Sequence, residues 1–207
     1  MDSKQQIIGK AAELFMRYGI KSVTMDDLAR ELGISKKTLY EHVSNKSDLI
    51  EQIFGQMITE EKEMMAHLRQ TAGDAIEEIL NITKFVLKNL RRLSPTTVYD
   101  LQKYYRSTWK KMESQQCDHI YDLIRENLER GMVQGVYRGT INPDIIAKMY
   151  VGSNSIVTDE SWFPVGEYRM DELFIQHMTY HLHGIASSQG LALLEQHMPE
   201  IVTRNDK

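Results

Sequence analysis

The chain has 207 residues, of which 42% are hydrophobic and 26% are charged, so a disordered chain is excluded and a small N-terminal unit plus a larger body is expected. One cysteine, Cys117, excludes an intrachain disulfide framework. No apolar run approaches the roughly 20 residues that span a bilayer, and no signal-peptide core is apparent, so we expect a cytoplasmic protein with no membrane contact. The net charge of −4 excludes a broadly basic surface, so any nucleic-acid binding must depend on local charge.

An apolar stripe near the start of the chain predicts the first helix. The spacing i, i+4, i+7, i+8 and i+11 marks one face of a helix. It is occupied here by Ile7, Ala11, Leu14, Phe15 and Tyr18. Gly19 follows this stripe and is expected to end the helix, because glycine readily takes positive φ after a helix C-terminus.

The stretch from Thr24 to Asn45 predicts two short helices joined by a tight turn. Thr24 is the expected N-cap of the second helix, with Asp27 three residues later as an approximate capping box. Gly33 permits a sharp turn, and Ser35 is the expected N-cap of the third helix. This combination is typical of a helix-turn-helix.

Lysines lie at the N-terminal ends of two successive predicted helices. Lys36 and Lys37 fall in the first turn of the third helix, and Lys46 follows Asn45, the expected N-cap of the fourth. Cations there face the positive end of the helix dipole, at a cost of about 0.3–1 kcal/mol each when they have no partner. A polyanion would reverse that cost, because lysines and helix N–H groups then point at the same phosphates. The alternative is that these are ordinary exposed lysines, since the cost is small.

The run AAELFMRYGIKSVTMDDLARELGISKKTLYEHVSNKSDLI, residues 11–50, carries glycine, cap, aromatic and lysine positions in a characteristic order. Through this run, residues 4–50 resemble the DNA-binding domain of the TetR family of bacterial repressors. Two residues depart from the family pattern. Lys37 stands where glycine or alanine is frequent, which we expect to alter base preference, and Val43 stands where phenylalanine is common, which we expect to affect packing.

The resemblance implies a set of side chains that contact double-stranded DNA, and tyrosine, lysine and threonine are chemically suited to phosphates and base edges. Those expected in the major groove are Lys36, Lys37, Thr38 and Tyr40, those expected at phosphates are Thr24, Tyr40, His42 and Lys46, and Ser35 completes the set. For Tyr40 and His42 the alternative is a hydrophobic wall with a polar tip. Leu39 and Val43 are the better core candidates.

The pattern after residue 50 predicts further helices and no strand pairs. In a helix over residues 74–93, apolar side chains would occupy nearly every face, which is typical of a central helix. A helix restarts at Ser94 and Pro95, and a long helical pattern then ends at Gly131.

Three more helices are expected towards the C-terminus. The eighth helix begins with Asn142 as cap and Pro143 as its first residue, complemented by Asp144. The ninth helix covers about residues 168–187, and a short last helix precedes Pro199.

The predicted fold is all-α, with a three-helix helix-turn-helix domain at residues 1–50, whose motif lies at about 24–43, and a larger helical bundle at 51–207 for effector binding and dimerisation. The resemblance implies a homodimer through the last two long helices, the eighth and ninth. Gly152 and Gly184 would suit close approach of helices at such an interface, and the alternative is a plain packing role within one chain.

Aromatic and methionine side chains in the body suit a cavity for an apolar or aromatic effector. The candidates are Tyr105, Trp109, Met112, Tyr121 and Met149. The alternative is ordinary core packing, which residues at helical spacing also fit.

No catalytic residue, metal site or cofactor is predicted. His177 and His181 lie one helical turn apart, a spacing that can hold a metal, but neither a carboxylate nor a cysteine lies on the same turn. Nucleophile-elbow and phosphate-loop patterns do not occur in the sequence.

The combined prediction is a TetR-like transcriptional regulator, a homodimeric repressor that binds a palindromic operator. An unknown small-molecule effector would bind the C-terminal domain and release the DNA. The alternative is an all-α small-molecule-binding protein or enzyme with a non-functional helix-turn-helix. Salt-sensitive, sequence-specific DNA binding would favour the regulator.

Overall fold

The computed structural model describes residues 3–90, 94–164 and 166–197, and these ranges form ten α-helices without a strand. Their bounds are α1 Ser3–Tyr18, α2 Met25–Leu32, α3 Lys36–His42, α4 Lys46–Thr71, α5 Ala75–Leu90, α6 Pro95–Tyr104, α7 Arg106–Val133, α8 Pro143–Val157, α9 Met170–Ile185 and α10 Ser188–His197. The all-α prediction is confirmed. None of the described helices is both long enough and apolar enough to cross a membrane.

The chain divides into two compact units. Unit 1 consists of Met1–Lys62 and Arg92–Gln116, and unit 2 consists of Glu63–Arg91 and Cys117–Lys207. These bounds differ from the predicted domains, 1–50 and 51–207, and that division stays a prediction. Unit 1 therefore contains α6 and the first part of α7 as well as the helix-turn-helix.

The helices of unit 1 begin and end at the residues that local chemistry favours. Thr24 Oγ1 accepts the Asp27 N–H at 3.1 Å, while Asp27 Oδ2 accepts the Thr24 N–H at 3.0 Å, which completes the predicted capping box. Gly33 ends α2 with φ of 65°, and Gly19 follows α1 with φ of 83°. Both glycines thus take the left-handed conformation that the sequence predicts for them.

The core of unit 1 joins α1, α2, α3 and α4 to α6. Leu28 of α2, Leu39 of α3 and Ile50 of α4 are fully buried in it. Leu101 of α6 is buried in the same cluster, although the sequence placed its helix in the body. Val43 is also buried here, so this departure from the family pattern is accommodated in the core.

Helix α5 lies at the centre of unit 2 and packs against α9 and α10. Ile76, Ile79 and Leu80 of this helix are buried, which confirms the prediction of a central helix. The helix was predicted for residues 74–93. It begins at Ala75 and ends at Leu90, and residues 91–93 lie outside the described residues.

Gly131 lies inside α7, so the prediction that it ends this helix is wrong. The helix continues to Val133, and Gly135, with φ of 76°, takes the left-handed conformation instead. A Cβ on Gly131 would overlap with Cδ2 of Tyr137. Glycine is therefore needed at this position to make room for the buried Tyr137 ring.

A buried charged network joins α5 to α7. Glu78 is 1% exposed, and its Oε2 accepts hydrogen bonds from Arg130 Nη1 at 3.0 Å and Asn127 Nδ2 at 2.9 Å. Arg130 Nη2 also donates to the Ala72 carbonyl at 2.8 Å, just after α4. Each charge is thus paired, which is the condition for burying charge in a folded chain.

Candidate nucleic-acid interface

Helix α3, the second helix of the helix-turn-helix, is anchored by its apolar side. Leu39 is fully buried, and Val43 follows the helix as its buried C-cap. The side chains of Lys37 and Tyr40 are exposed. This anchoring leaves one side of α3 available for contact with a partner.

Ser35 and Thr38 form the start of α3. The Ser35 Oγ accepts the Thr38 N–H at 3.0 Å, which confirms Ser35 as the N-cap. The two hydroxyl oxygens lie 2.8 Å apart and share a hydrogen bond. A hydroxyl accepts more than one bond, so both groups retain capacity for an outside partner.

The Lys36 ammonium is paired within the chain. Its Nζ lies 2.7 Å from Oδ1 of Asp26 in the first turn of α2, and this hydrogen bond raises the pKa of Lys36. The helix-dipole cost expected for a lysine without a partner at this position is therefore offset by Asp26. Both side chains are more than half exposed, so the pair is screened by solvent and salt.

Lys46, the first residue of α4, is also paired within the chain. Its Nζ donates to the carbonyl of Val23, in the turn before α2, and lies 5.6 Å from the centre of the Phe15 ring. Burial lowers the pKa of Lys46, while the charges of Asp100 and Asp27 act in the opposite direction. The ammonium has three N–H donors, so the Val23 carbonyl leaves further donors for a ligand.

These contacts bring the N-terminal turns of α2, α3 and α4 together. The Lys46 ammonium is bonded to the carbonyl that directly precedes Thr24, the N-cap of α2. The Lys36–Asp26 pair joins the first turn of α3 to that of α2. For Lys37, the described residues supply neither a hydrogen bond nor an ion pair. Of the predicted DNA-contact residues, Thr24, Ser35, Lys36, Lys37, Thr38 and Lys46 thus lie at helix starts that share one part of unit 1. Tyr40 and His42 lie in the second half of α3.

The sequence pattern did not indicate Val23 and Asp26 as the partners of these lysines. Asp26 carried a usable signal, because acidic residues are favoured in the first turn of a helix. Asp26 pairs with Lys36 of the next helix because of the way α2 and α3 cross, and the periodicity of the sequence does not predict that crossing. The Val23 carbonyl has no signal at all, because every residue carries one.

A family model described as "Bacterial regulatory proteins, tetR family" matches residues 7–53. All eight predicted DNA-contact residues lie within that range. The HTH-type transcriptional regulator YvaF of Bacillus subtilis is 26% identical over 162 residues, which cover 76% of this chain and 82% of YvaF. The chain resembles the TetR family of regulators, whose model it matches at residues 7–53. The family model and the relatives named here are those of transcriptional regulators that bind DNA through a helix-turn-helix.

Two further transcriptional regulators match most of the chain. The HTH-type transcriptional repressor KstR2 of Mycolicibacterium smegmatis is 21% identical over 201 residues, covering 90% of this chain and 92% of KstR2. A transcriptional regulator from Cytophaga hutchinsonii has the same fold, with a TM-score of 0.74 at 17% identity, over 88% of this chain and 98% of that one. The similarity to transcriptional regulators and the shared fold thus extend over most of the chain.

The five residues predicted to bind an effector lie in different places. The partly buried Tyr105, Trp109 and Met112 pack against the core of unit 1, and Tyr121 packs against the core of unit 2. Met149 is 64% exposed on α8. The structure does not bring the five together within one unit, and their role in effector binding stays a prediction.

An open cavity of about 340 Å³ lies in unit 1 beside α6 and α7. Its lining consists of Gln102, Arg106, Trp109, Lys110 and Glu113. Trp109 belongs to the predicted effector set, whereas the four polar side chains were not indicated by the search for an apolar cavity. Its open form and mixed charges do not specify a class of ligand.

Helices α8 and α9 of unit 2 are joined through aromatic contacts. The Tyr150 ring stacks on His177 with centroids 4.8 Å apart and meets His181 edge-on at 4.7 Å. The Ser153 Oγ lies 2.7 Å from Nε2 of His177. Within the described residues, no three His, Cys, Asp or Glu side chains are grouped to hold a metal ion. The two histidines are packing residues between these helices.

Acid is expected to destabilise unit 2 through His181. Burial lowers the pKa of His181 from 6.5 to about 4. Between pH 6.5 and about pH 4, the His181 imidazole is protonated in the unfolded chain but neutral in the folded chain. The free energy of unfolding therefore falls as the pH drops. The loss is about 1.4 kcal/mol per pH unit, or about 2 kcal/mol at pH 5. Urea unfolding at pH 8 and pH 5 measures it.

The histidine variants make this pH prediction specific. His181→Phe should lose less stability between pH 8 and pH 5 than the wild type, because its ring has no proton to gain. His67→Gln, on an exposed position of α4, should keep the wild-type pH dependence. An unchanged pH dependence in His181→Phe would show that other groups control acid unfolding.

Proposed function

We propose that this protein is a TetR-family transcriptional repressor that inserts α3 into the major groove of an operator. The observation that carries the proposal is the convergence of the α2, α3 and α4 helix starts within the residues that the family model matches. Helix N-termini and lysines attract phosphates together. The relative KstR2, which is named a repressor, supports the direction of control.

The proposed contacts divide into base contacts and phosphate contacts. Lys37 and Thr38 are assigned to base edges, because lysine binds guanine O6 and N7 and threonine suits a base edge or a thymine methyl. Thr24, Tyr40 and Lys46 are assigned to phosphates, which fix the orientation of α3. We assign Ser35 and His42 supporting contacts at the same surface.

Lys36 is expected to exchange Asp26 for DNA. Its ion pair is exposed, so a phosphate or a guanine edge can replace the carboxylate at small cost. Until DNA binds, the carboxylate holds the lysine near the start of α3. Lys46 needs no such exchange, because the Val23 carbonyl occupies one of its three donors.

A homodimer through α8 and α9 is the second part of the proposal. An exposed apolar stripe lies along one face of α8, formed by Ile145, Met149 and Ile156, each at least half exposed. Tyr180 of α9 is 82% exposed. Gly152 lies within the stripe, and a Cβ there would meet nothing within 4 Å. Apolar side chains left open on a single chain are typical of a surface that a second copy covers.

The dimer would set the spacing of the operator. Two α3 helices related by a two-fold axis read half-sites about one DNA turn apart, roughly 34–36 Å, which gives a near-palindromic site. A small-molecule effector that prefers a dimer with another α3 separation would release the operator.

Selection from random duplex DNA tests the proposed function. The protein is expected to enrich a near-palindromic sequence, and its affinity should fall steeply as salt concentration rises, because bound phosphates release counterions. The DNA upstream of its own gene should compete in the same assay. Failure of the folded dimer to enrich any sequence at low salt would contradict the proposal.

Lys37→Ala is expected to relax the operator consensus. The lysine has no partner among the described residues, so its removal should leave stability unchanged and cost about 1–3 kcal/mol of discrimination at one base pair. Repeating the selection with the variant measures this effect. Lys62→Ala, which removes one exposed lysine from α4 outside the helix-turn-helix, should return the wild-type consensus. Identical consensus sequences for all three proteins would exclude base contact by Lys37.

A further inference from the structure

Helix α6 is bonded to α1 and to the turn that follows it, although about 80 residues of chain separate them. Asp100 is 5% exposed, and its Oδ2 accepts the Lys21 N–H at 2.7 Å. Thr97, which is also buried, donates from its hydroxyl to the Phe15 carbonyl at 2.8 Å. Both bonds lie within unit 1, so α6 is part of the DNA-binding unit.

The turn at residues 19–23 is shaped to receive α6. A Cβ on Gly19 would lie 2.9 Å from Cγ2 of Thr96 and 3.2 Å from Oδ2 of Asp100. Glycine is required at position 19 for two reasons. There is no room for a Cβ, and the φ of 83° is left-handed. The Lys21 Nζ adds a surface bond to the Tyr104 hydroxyl at 3.0 Å. The position of this turn is therefore fixed from α6.

The same turn holds the Lys46 ammonium. Asp100 binds the backbone of Lys21, and two residues later the Val23 carbonyl accepts the bond from Lys46 Nζ. The next residue, Thr24, caps α2. A short path thus leads from a carboxylate on α6 to two residues that we assign to phosphates.

The chemistry of Asp100 points beyond simple packing. A carboxylate buried at this level is costly unless it is paired, and the described residues give it a backbone amide but no salt bridge within 4 Å. Its charge favours the ammonium form of Lys46, in opposition to burial, which lowers the pKa of that lysine. An apolar residue would fill the space without this charge.

We propose that Asp100 is a positioning residue for DNA binding, which fixes the 19–23 turn so that the Val23 carbonyl holds the Lys46 ammonium at a DNA phosphate. This inference rests on the proposed function, in particular on a phosphate contact by Lys46. Asp100 itself touches no DNA. A purely structural role would resemble that of Thr97, which anchors α6 to α1 but lies outside the path to Lys46.

Binding of the full-length protein to a fluorescent duplex of random sequence, measured over a range of salt concentrations, tests the inference. Phosphate contacts do not depend on sequence, and each one adds about 0.9 to the slope of log affinity against log salt. Lys46→Ala should lower that slope by about one contact. Asp100→Ala should weaken binding and lower the slope by the same amount, and the double variant should be no weaker than either single variant.

Matched variants separate positioning from stability. Thr97→Val also removes one buried hydrogen bond from α6, so it should lower the melting temperature and keep the wild-type slope. Asp100→Asn keeps an oxygen that accepts the Lys21 N–H, so it should restore most of the affinity that Asp100→Ala loses. Asp100→Val, which fills the space without an acceptor, replaces Asp100→Ala if the alanine variant does not fold.

The outcomes distinguish this inference from the function on which it rests. A folded wild-type protein that does not bind the duplex at low salt would contradict the proposed function. If the wild type binds and Asp100→Ala has the wild-type slope, the inference is overturned and the proposed function stands. Additive losses in the Asp100 and Lys46 double variant would overturn it in the same way.

Discussion

Met149→Glu is expected to lower operator affinity by about 10²–10⁴-fold. A monomer binds DNA through one α3 helix and loses the affinity gained when two linked α3 helices bind together. Met149 lies in the middle of the exposed apolar stripe on α8. In the proposed dimer, a glutamate there would be buried against its symmetry mate, and two unpaired like charges would then share one apolar interface. Light scattering should show a monomer, and a binding assay on the selected operator should show the loss.

A matched variant controls for added charge on this helix. Ser155→Glu places the same charge on an exposed position of α8 beside the stripe rather than within it. It should stay dimeric and bind the operator like the wild type. Circular dichroism should show the wild-type helix content for both variants, since both positions are exposed. A dimeric Met149→Glu protein with wild-type affinity would place the dimer interface elsewhere.

Glu78→Ala is expected to destabilise unit 2 by about 3–5 kcal/mol. The substitution leaves the Arg130 guanidinium without its carboxylate and the Asn127 amide without one acceptor, at a position where Glu78 and Asn127 are buried. Urea unfolding followed by circular dichroism measures the loss. Glu129→Ala, an exposed glutamate of α7, should cost far less.

A second substitution distinguishes an unpaired charge from lost packing. One source of the cost of Glu78→Ala is that the charge of Arg130 is left unpaired. In that case, replacing both Glu78 and Arg130 with methionine should recover much of the stability. A double variant as unstable as Glu78→Ala would instead show that the shape of the glutamate matters. A loss below about 1 kcal/mol in Glu78→Ala would mean that water reaches Arg130.

Local chemistry was readable from the sequence with good accuracy. Thr24, Ser35 and Asn142 cap their helices as predicted, each with a side-chain oxygen that accepts a backbone N–H. Gly33 takes the left-handed conformation that the sharp turn needs. These features depend on residues within a few positions of one another, so the spacing of residue types determines them.

Features that depend on distant residues were not readable. Gly131 was expected to end a helix, because the sequence does not show that the Tyr137 ring needs its space. The sequence did not indicate a partner for Lys46, because the Val23 carbonyl reaches it only through the packing of α4 on the preceding turn. Leu101 was assigned to the body. It is instead buried in the core of unit 1, because the chain packs α6 back onto that unit.

The burial of Leu101 and Asp100 in unit 1 has a consequence for recombination between relatives. A chimera made by exchanging residues 1–50 at a single crossover would pair a foreign turn and core with the resident α6. Exchange of operator specificity should instead need two segments, 1–62 and 92–116, transferred together. That exchange requires three crossovers, after residues 62, 91 and 116, so we expect this unit to be exchanged between relatives less freely than its compact N-terminal sequence motif suggests.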